Sequence, residues 1–378
     1  MPRLHTYDIH SLVRIASERR LPELERFRCI AGRQPFDIDV VVTADPAQWA
    51  APGAIRYREA FGRFGFSLAL ERSDERIRAI VSPLIAASPH VLYTNVVEPL
   101  LRWLLVRKGH ALMHAACLAV GESAVLVTAR TDTGKTTTIL NALRAACGRL
   151  AFLSDDMIVL RPDGRVLAYP KPLTISRHTV QAIGGAPLRA GERLKLVPQS
   201  RLHSKGGRGV GMRLYRSGMP AATLSAVVQR LVPPPKFMVD RLIPGTRYAT
   251  SARLRRVVLI ERGPGFREPI PAGELVDLLV ANAEDAYGFP PYPVLERELC
   301  TWRGVDLHAR EREIVAAALE GVPAERVRRP DFGWHNDLLA AADALARDAD
   351  APSPAKRQPT APRAPAPRPL GAVGGIDG

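Results

Sequence analysis

The stretch TARTDTGKTTTILNAL, residues 128 to 143, ends in the residues of a phosphate-binding loop: Gly134, Lys135 and Thr136 match the close of the pattern GxxxxGK[ST]. Such a loop works because backbone N–H groups in a tight turn, opening onto a helix N-terminus, converge on phosphate oxygens. Lys135 would reach the β- and γ-phosphates, and the Thr136 hydroxyl would ligate Mg²⁺. The nucleotide-binding run is therefore Ala129, Arg130, Thr131, Asp132, Thr133, Gly134, Lys135, Thr136 and Thr137. Two positions depart from the pattern. Ala129 stands where the pattern opens with glycine, and Asp132 places a carboxylate in a loop that must hold anions. Alanine is tolerated at 129 if the backbone there stays at negative φ, so binding is expected to be weakened rather than lost.

Some twenty residues after the lysine, Asp155 and Asp156 follow the apolar run LAFL, where a phosphate-loop protein carries its Mg²⁺-binding acid at a strand end. Two adjacent carboxylates allow a division of labour, one holding the metal and the other accepting a proton from an attacking hydroxyl. Alone, an Asp-Asp pair is a common strand ending; beside the loop it becomes a candidate site. His114 lies in the apolar LMHAACL, on the strand expected beside the loop strand. A single histidine in such a place is more often a hydrogen-bonded core residue than a catalyst.

The elements that must position these residues are legible in outline. ALMHAACLAV and SAVLVTA flank Gly121-Glu122, which suits a type II′ hairpin. KTTTILNALRAACG predicts a helix with Ile139, Leu140, Leu143 and Cys147 on one face and Gly148 as its stop. LAFLSDDMIVL, a PDG turn and RVLAYP predict two further strands. Before them, NVVEPLLRWLLVRKG, residues 95–109, predicts a core helix with Asn95 as its N-cap that ends before Gly109. Residues 1–93 read as a small α+β region.

Residues 187–216 carry eight basic side chains (Arg189, Arg193, Lys195, Arg201, Lys205, Arg208, Arg213 and Arg216) against Glu192, with several glycines, and predict a mobile loop able to close on an anion. A helix over 221–231, a PPPK break, the strand RRVVLIER, a helix over 274–285 and two helices between 306 and 348 follow. DFG at 331–333 has no HRD loop before it and reads as a turn opening the last helix. The Pro/Ala/Gly-rich residues 350–378 predict a disordered tail.

The chain has 378 residues, 46% of them hydrophobic, ample for a sizeable core. Lys and Arg outnumber Asp and Glu by 53 to 38, and the net charge of +15 favours anionic partners. No nucleic-acid-reading pattern is present, so no specific nucleic acid is expected. Neither a transmembrane run nor a signal-peptide core occurs, and a cytoplasmic protein is expected. Cys29, Cys117, Cys147 and Cys300 are scattered without a CxxC pair and read as core residues. The sequence leaves a homo-oligomer open.

Taken together, MHAACLAV, AVLVTARTDTGKTTT and FLSDDMIVLRPDGRVLAYPKPL resemble the HPr kinase/phosphorylase family, which shares a phosphate-loop fold with phosphoenolpyruvate carboxykinases. The resemblance covers roughly residues 95–175, and more weakly extends to about 265. In that family a histidine stands fifteen residues before the first loop position, as His114 does before Ala129, and an Asp-Asp pair ends the next strand. The resemblance implies a mixed-sheet α/β fold over 94–349 and binding of ATP (or GTP) and Mg²⁺ by Lys135 and Thr136, with Asp155 as the metal-side acid. It further implies Asp156 as proton acceptor from a serine-type hydroxyl, supported by His114. Ala129, Thr131 and Asp132 replace the family's glycine, serine and glycine, and its glutamate and RGLG signature has no counterpart beyond GRGVG at 207–211. The acceptor is then a peptide, protein or small molecule other than HPr. The alternative is a nucleotide-binding accessory or regulatory protein without catalysis.

Overall fold

The computed structural model describes residues 4–32, 34–61, 64–130, 132–185, 188, 192, 220–285, 287 and 290–350. Thr131, nearly all of the 187–216 stretch and the tail beyond residue 350 lie outside the described residues. The chain is a mixed α/β protein built on two main sheets.

Residues 5–81 supply the first sheet, of seven strands. The second carries the candidate site. Its central strand, Ser123–Thr128, is antiparallel to Ala116–Val120 on one side and parallel to Ser251–Arg262 on the other. The far half of Ser251–Arg262 pairs in parallel with Ala324–Arg329, which pairs in turn with Phe266–Pro269. Three parallel strands thus end side by side along one edge.

Alternation along the central strand decides what each face packs against. Ala124 and Leu126 join the core shared with the first sheet, whereas Val125, Val127 and Ala129 join a second core under the Lys135–Ala145 and Trp334–Asp350 helices. Both faces are covered, so the strand reads as a continuous apolar run.

The Gly121-Glu122 hairpin forms as expected, with Gly121 at φ +55°. Three expectations are corrected. Asn95 is no N-cap: Pro89–Leu92 already begins the helical run, Tyr93–Val97 continues it as a π-turn, and Glu98–Arg107 completes it. Asn95 instead donates through Nδ2 to the Pro290 carbonyl at 3.1 Å. The helix after the loop ends at Ala145, so Cys147, at φ +47°, is exposed rather than on the core face. Of the four free cysteines only Cys117 is buried.

The Glu98–Arg107 helix is fixed by an internal ion pair. Fully buried Arg102 donates to both oxygens of Glu311, at 2.8 and 2.6 Å, and to the Tyr292 hydroxyl at 2.9 Å. Removing either partner would strand a buried charge, so the pair ties this helix firmly to Leu307–Ala318.

Candidate functional site

The phosphate-loop strand ends at Thr128, whose buried hydroxyl accepts from Asn282 Nδ2 at 3.0 Å, anchoring the strand end to the Ala272–Asp285 helix. Ala129 is buried and is not among the residues at positive φ, so the absence of glycine there leaves the turn intact. The strain sits elsewhere. Asp132 takes φ +65° at the second glycine position, and Gly134 takes φ +126°. Aspartate enters the left-handed region more readily than most side chains, which is how the loop forms with this residue. Arg130 is exposed, and its carbonyl accepts from the Thr133 hydroxyl at 2.7 Å.

Gly134 opens the Lys135–Ala145 helix, and its carbonyl accepts from the Thr138 hydroxyl at 3.0 Å. Thr137 is buried behind the loop. The Nζ of Lys135 is sealed from solvent and has no hydrogen-bond partner among the described residues. Burial holds its pKa below the ordinary lysine value, although Asp156 and Asp155 pull it upward.

Thr136 Oγ1 donates to Asp155 Oδ2 at 2.6 Å, while Asp155 Oδ1 is buried and has no hydrogen-bond partner among the described residues. Burial pushes the Asp155 carboxyl up to about 6, against the opposing pull of Lys135 and Thr136. Among the described residues no group of three or more His, Cys, Asp or Glu side chains could hold a metal. A hydroxyl and a carboxylate with a free buried oxygen nevertheless suit Mg²⁺, which takes one or two protein ligands and completes its shell with phosphates and water.

Asp156 turns the other way. Its Oδ1 lies 2.9 Å from His114 Nε2 and its Oδ2 lies 2.6 Å from Lys171 Nζ. Its side chain is 45% exposed, at the mouth of the site. Desolvation would raise its pKa, but Lys171 and His114 hold it well below the usual carboxylate value. His114 reaches it because the expected strand is broken: Ala111–Met113 and Ala116–Val120 are separate strands, and the histidine sits at the bend between them. This corrects the expectation of a histidine inside a strand.

Lys171 is the functional residue that sequence reasoning missed. Its Nζ bridges Asp156 and buried Glu98, the latter at 3.0 Å, and lies 5.5 Å from the Tyr93 ring. Burial opposes its charge, yet Asp156 and Glu98 more than offset that and raise its pKa. The segment is held by Ser154, whose buried hydroxyl donates to the Tyr169 carbonyl at 2.8 Å, and by a bond of 2.8 Å between the Tyr93 and Tyr169 hydroxyls. Connecting segments of residues 5–81 pack on the same stretch: Phe27 meets the Tyr169 ring at 5.2 Å, and His10 Nε2 lies 2.6 Å from the Ala168 carbonyl.

The structure therefore brings His114, Lys135, Thr136, Asp155 and Asp156 together at one edge of the second sheet. The arrangement presents an unsatisfied buried cation at a helix start, a hydroxyl-carboxylate pair suited to a hard cation, and an ionised carboxylate at the opening. Among the described residues no helix is long and apolar enough to cross a membrane. Compared with known proteins, the chain matches no family model and no curated protein.

Proposed function

We propose that this chain is an ATP- and Mg²⁺-dependent phosphotransferase of the HPr kinase-like type, built on a phosphate-loop core and acting on a hydroxyl of a peptide, protein or small molecule. The observation that carries the reading is Lys135, whose buried ammonium has no hydrogen-bond partner among the described residues at the start of the helix that follows the loop. A buried charge without a partner is costly, and a phosphate chain is the counter-charge the site calls for.

Thr136 and Asp155 would hold Mg²⁺, which when bound neutralises charge on the β- and γ-phosphates. Lys135 would draw on the same oxygens from the helix start. The acceptor oxygen attacks the γ-phosphorus as the bond to the bridging oxygen breaks, ADP leaves, and the hydroxyl proton passes to Asp156. The low pKa of Asp156 keeps it ionised at neutral pH but makes it a weak base. That suits a loose transition state, in which the proton moves late. His114 orients Asp156 through Oδ1, leaving further lone pairs of the carboxylate for the acceptor. ATP as donor, together with four free cysteines, supports a cytoplasmic setting.

The test is transfer of radiolabelled γ-phosphate from ATP to cell extract or to the products of neighbouring genes. Asp156→Asn should cut transfer by about 10²- to 10⁴-fold while nucleotide affinity stays nearly intact. His114→Gln should give a smaller loss. Nucleotide binding with no labelled acceptor, and no change in Asp156→Asn, would leave the accessory nucleotide-sensing reading in its place.

A further inference from the structure

The DFG segment at 331–333, a plain turn by its sequence, packs onto the phosphate loop. A Cβ built on Gly134 would lie 3.0 Å from Cδ1 and Cε1 of Phe332, so the ring rests against the loop glycine that precedes Lys135. Topology explains the meeting. The strands Ser123–Thr128, Ser251–Arg262 and Ala324–Arg329 run parallel and adjacent, so Ala129 and Arg130 leave the same edge of the sheet as residues 330–333. Ligands of open α/β sheets bind beyond the carboxyl ends of such strands.

We propose that Phe332, braced by Arg262, is the platform on which the nucleobase of the bound nucleotide stacks; the inference rests on the nucleotide reading of the loop. Three observations lead there. First, Phe332 is 41% exposed although it belongs to a well-anchored segment. Asp331 accepts from Gly333 N at 3.0 Å, and the next residue, Trp334, is fully buried with its indole N–H on the Val327 carbonyl at 3.1 Å. Asp337 then clamps Arg329 at 2.7 and 3.0 Å. The ring is thus held out into solvent by a rigid support.

Second, the Arg262 guanidinium lies 4.3 Å from the Phe332 ring centroid, and its Nε donates to the Thr133 carbonyl at 3.2 Å. One side chain from the end of the neighbouring strand therefore links ring and loop. Third, Phe332 meets the loop one residue before the lysine that would take the phosphates, so the ring lies within a nucleotide's length of the phosphate site. Stacking on an aromatic face tolerates any base, so the platform should serve ATP and GTP alike.

The test is calorimetric titration of the full chain with Mg·ATP, Mg·GTP and Mg·tripolyphosphate, which has the phosphates and no base. Phe332→Leu keeps apolar bulk against Gly134 and removes the flat face; Phe332→Trp keeps a flat face. Phe332→Leu should weaken ATP and GTP by about 10- to 100-fold, the worth of one stacked base, and leave tripolyphosphate unchanged. Phe332→Trp should retain nucleotide affinity. Equal loss for ATP and tripolyphosphate, tighter binding of both, or no change in any titration would overturn the platform. Wild-type protein that binds neither ATP nor tripolyphosphate would instead show that the nucleotide reading itself has failed, and the inference with it.

Discussion

Lys135 and Lys171 both act on the Asp156 carboxylate, one from the phosphate loop and the other from the segment after Tyr169, yet their surroundings are opposite. Lys171 has two carboxylate partners, Asp156 and Glu98, and its pKa is raised. Lys135 is as well sealed but has no hydrogen-bond partner among the described residues, and its pKa is lowered. The difference separates two uses of a buried cation. A satisfied ammonium fixes its neighbours in place, whereas an unsatisfied one holds local free energy that an incoming anion releases. A second buried carboxylate, Glu23, is 2% exposed and takes both His90 (3.1 Å) and Lys236 on Oε1, while its buried Oε2 has no hydrogen-bond partner among the described residues.

The sharpest way to break this comparison is to replace each lysine by methionine in the nucleotide-free protein. Lys171→Met strands Glu98 and Asp156 and should destabilise the fold by about 2–4 kcal/mol, somewhat below the value for a wholly buried pair because Asp156 is 45% exposed. Lys135→Met removes an unpaired charge and should leave stability unchanged or raise it by about 1 kcal/mol. Urea unfolding of both variants checks the contrast, and equal losses would abolish it.

A second test uses acid. Burial alone would raise the Glu23 carboxyl, but the His90 and Lys236 contacts hold it at about 2. A folded-state pKa below the unfolded value of roughly 4.3 gives stability that is fully present above that value and is lost as pH falls toward 2. The amount is on the order of 2–3 kcal/mol. Unfolding measured from pH 5 to pH 2 should therefore show a slope that Glu23→Gln flattens; an unchanged slope would show that the His90 and Lys236 contacts do not hold the Glu23 carboxyl down.

The smallest effects concern the loop backbone. Asp132→Gly relieves a non-glycine residue at φ +65° and should stabilise by about 0.5–1 kcal/mol. Ala129→Gly adds only chain entropy at a site that does not need positive φ, and should cost about as much. Thermal melts that reverse these signs would place the loop strain at the wrong residue.

Signals that lie within one turn or one hairpin were readable from the chain: Gly121-Glu122, the helix after Gly134, and Asp155-Asp156 at the end of LAFL. What the sequence hid depends on contacts between distant residues. Lys171 was one residue in YPKPL until folding set it between Glu98 and Asp156. Phe332 meets Gly134 only because the Ala324–Arg329 strand lies two places from the loop strand. That strand, AERVRR, was illegible because Val327 is its one large apolar residue; its charge is absorbed by ion pairs such as those from Arg326 to Glu268, Glu274 and Glu261. His114 was legible as a candidate, but the break in its strand that lets it reach Asp156 was not.

The account turns on the unpartnered ammonium of Lys135, and calorimetric titration of wild-type protein and Lys135→Met with Mg·ATP tests it most directly. We expect saturable binding to wild type, and a thermal stabilisation of about 2.7 kcal/mol when free nucleotide is a hundredfold above its dissociation constant. Lys135→Met should lose both while remaining folded. Wild type that takes up no heat with Mg·ATP or Mg·GTP, or a methionine variant that binds as tightly as wild type, would contradict the account.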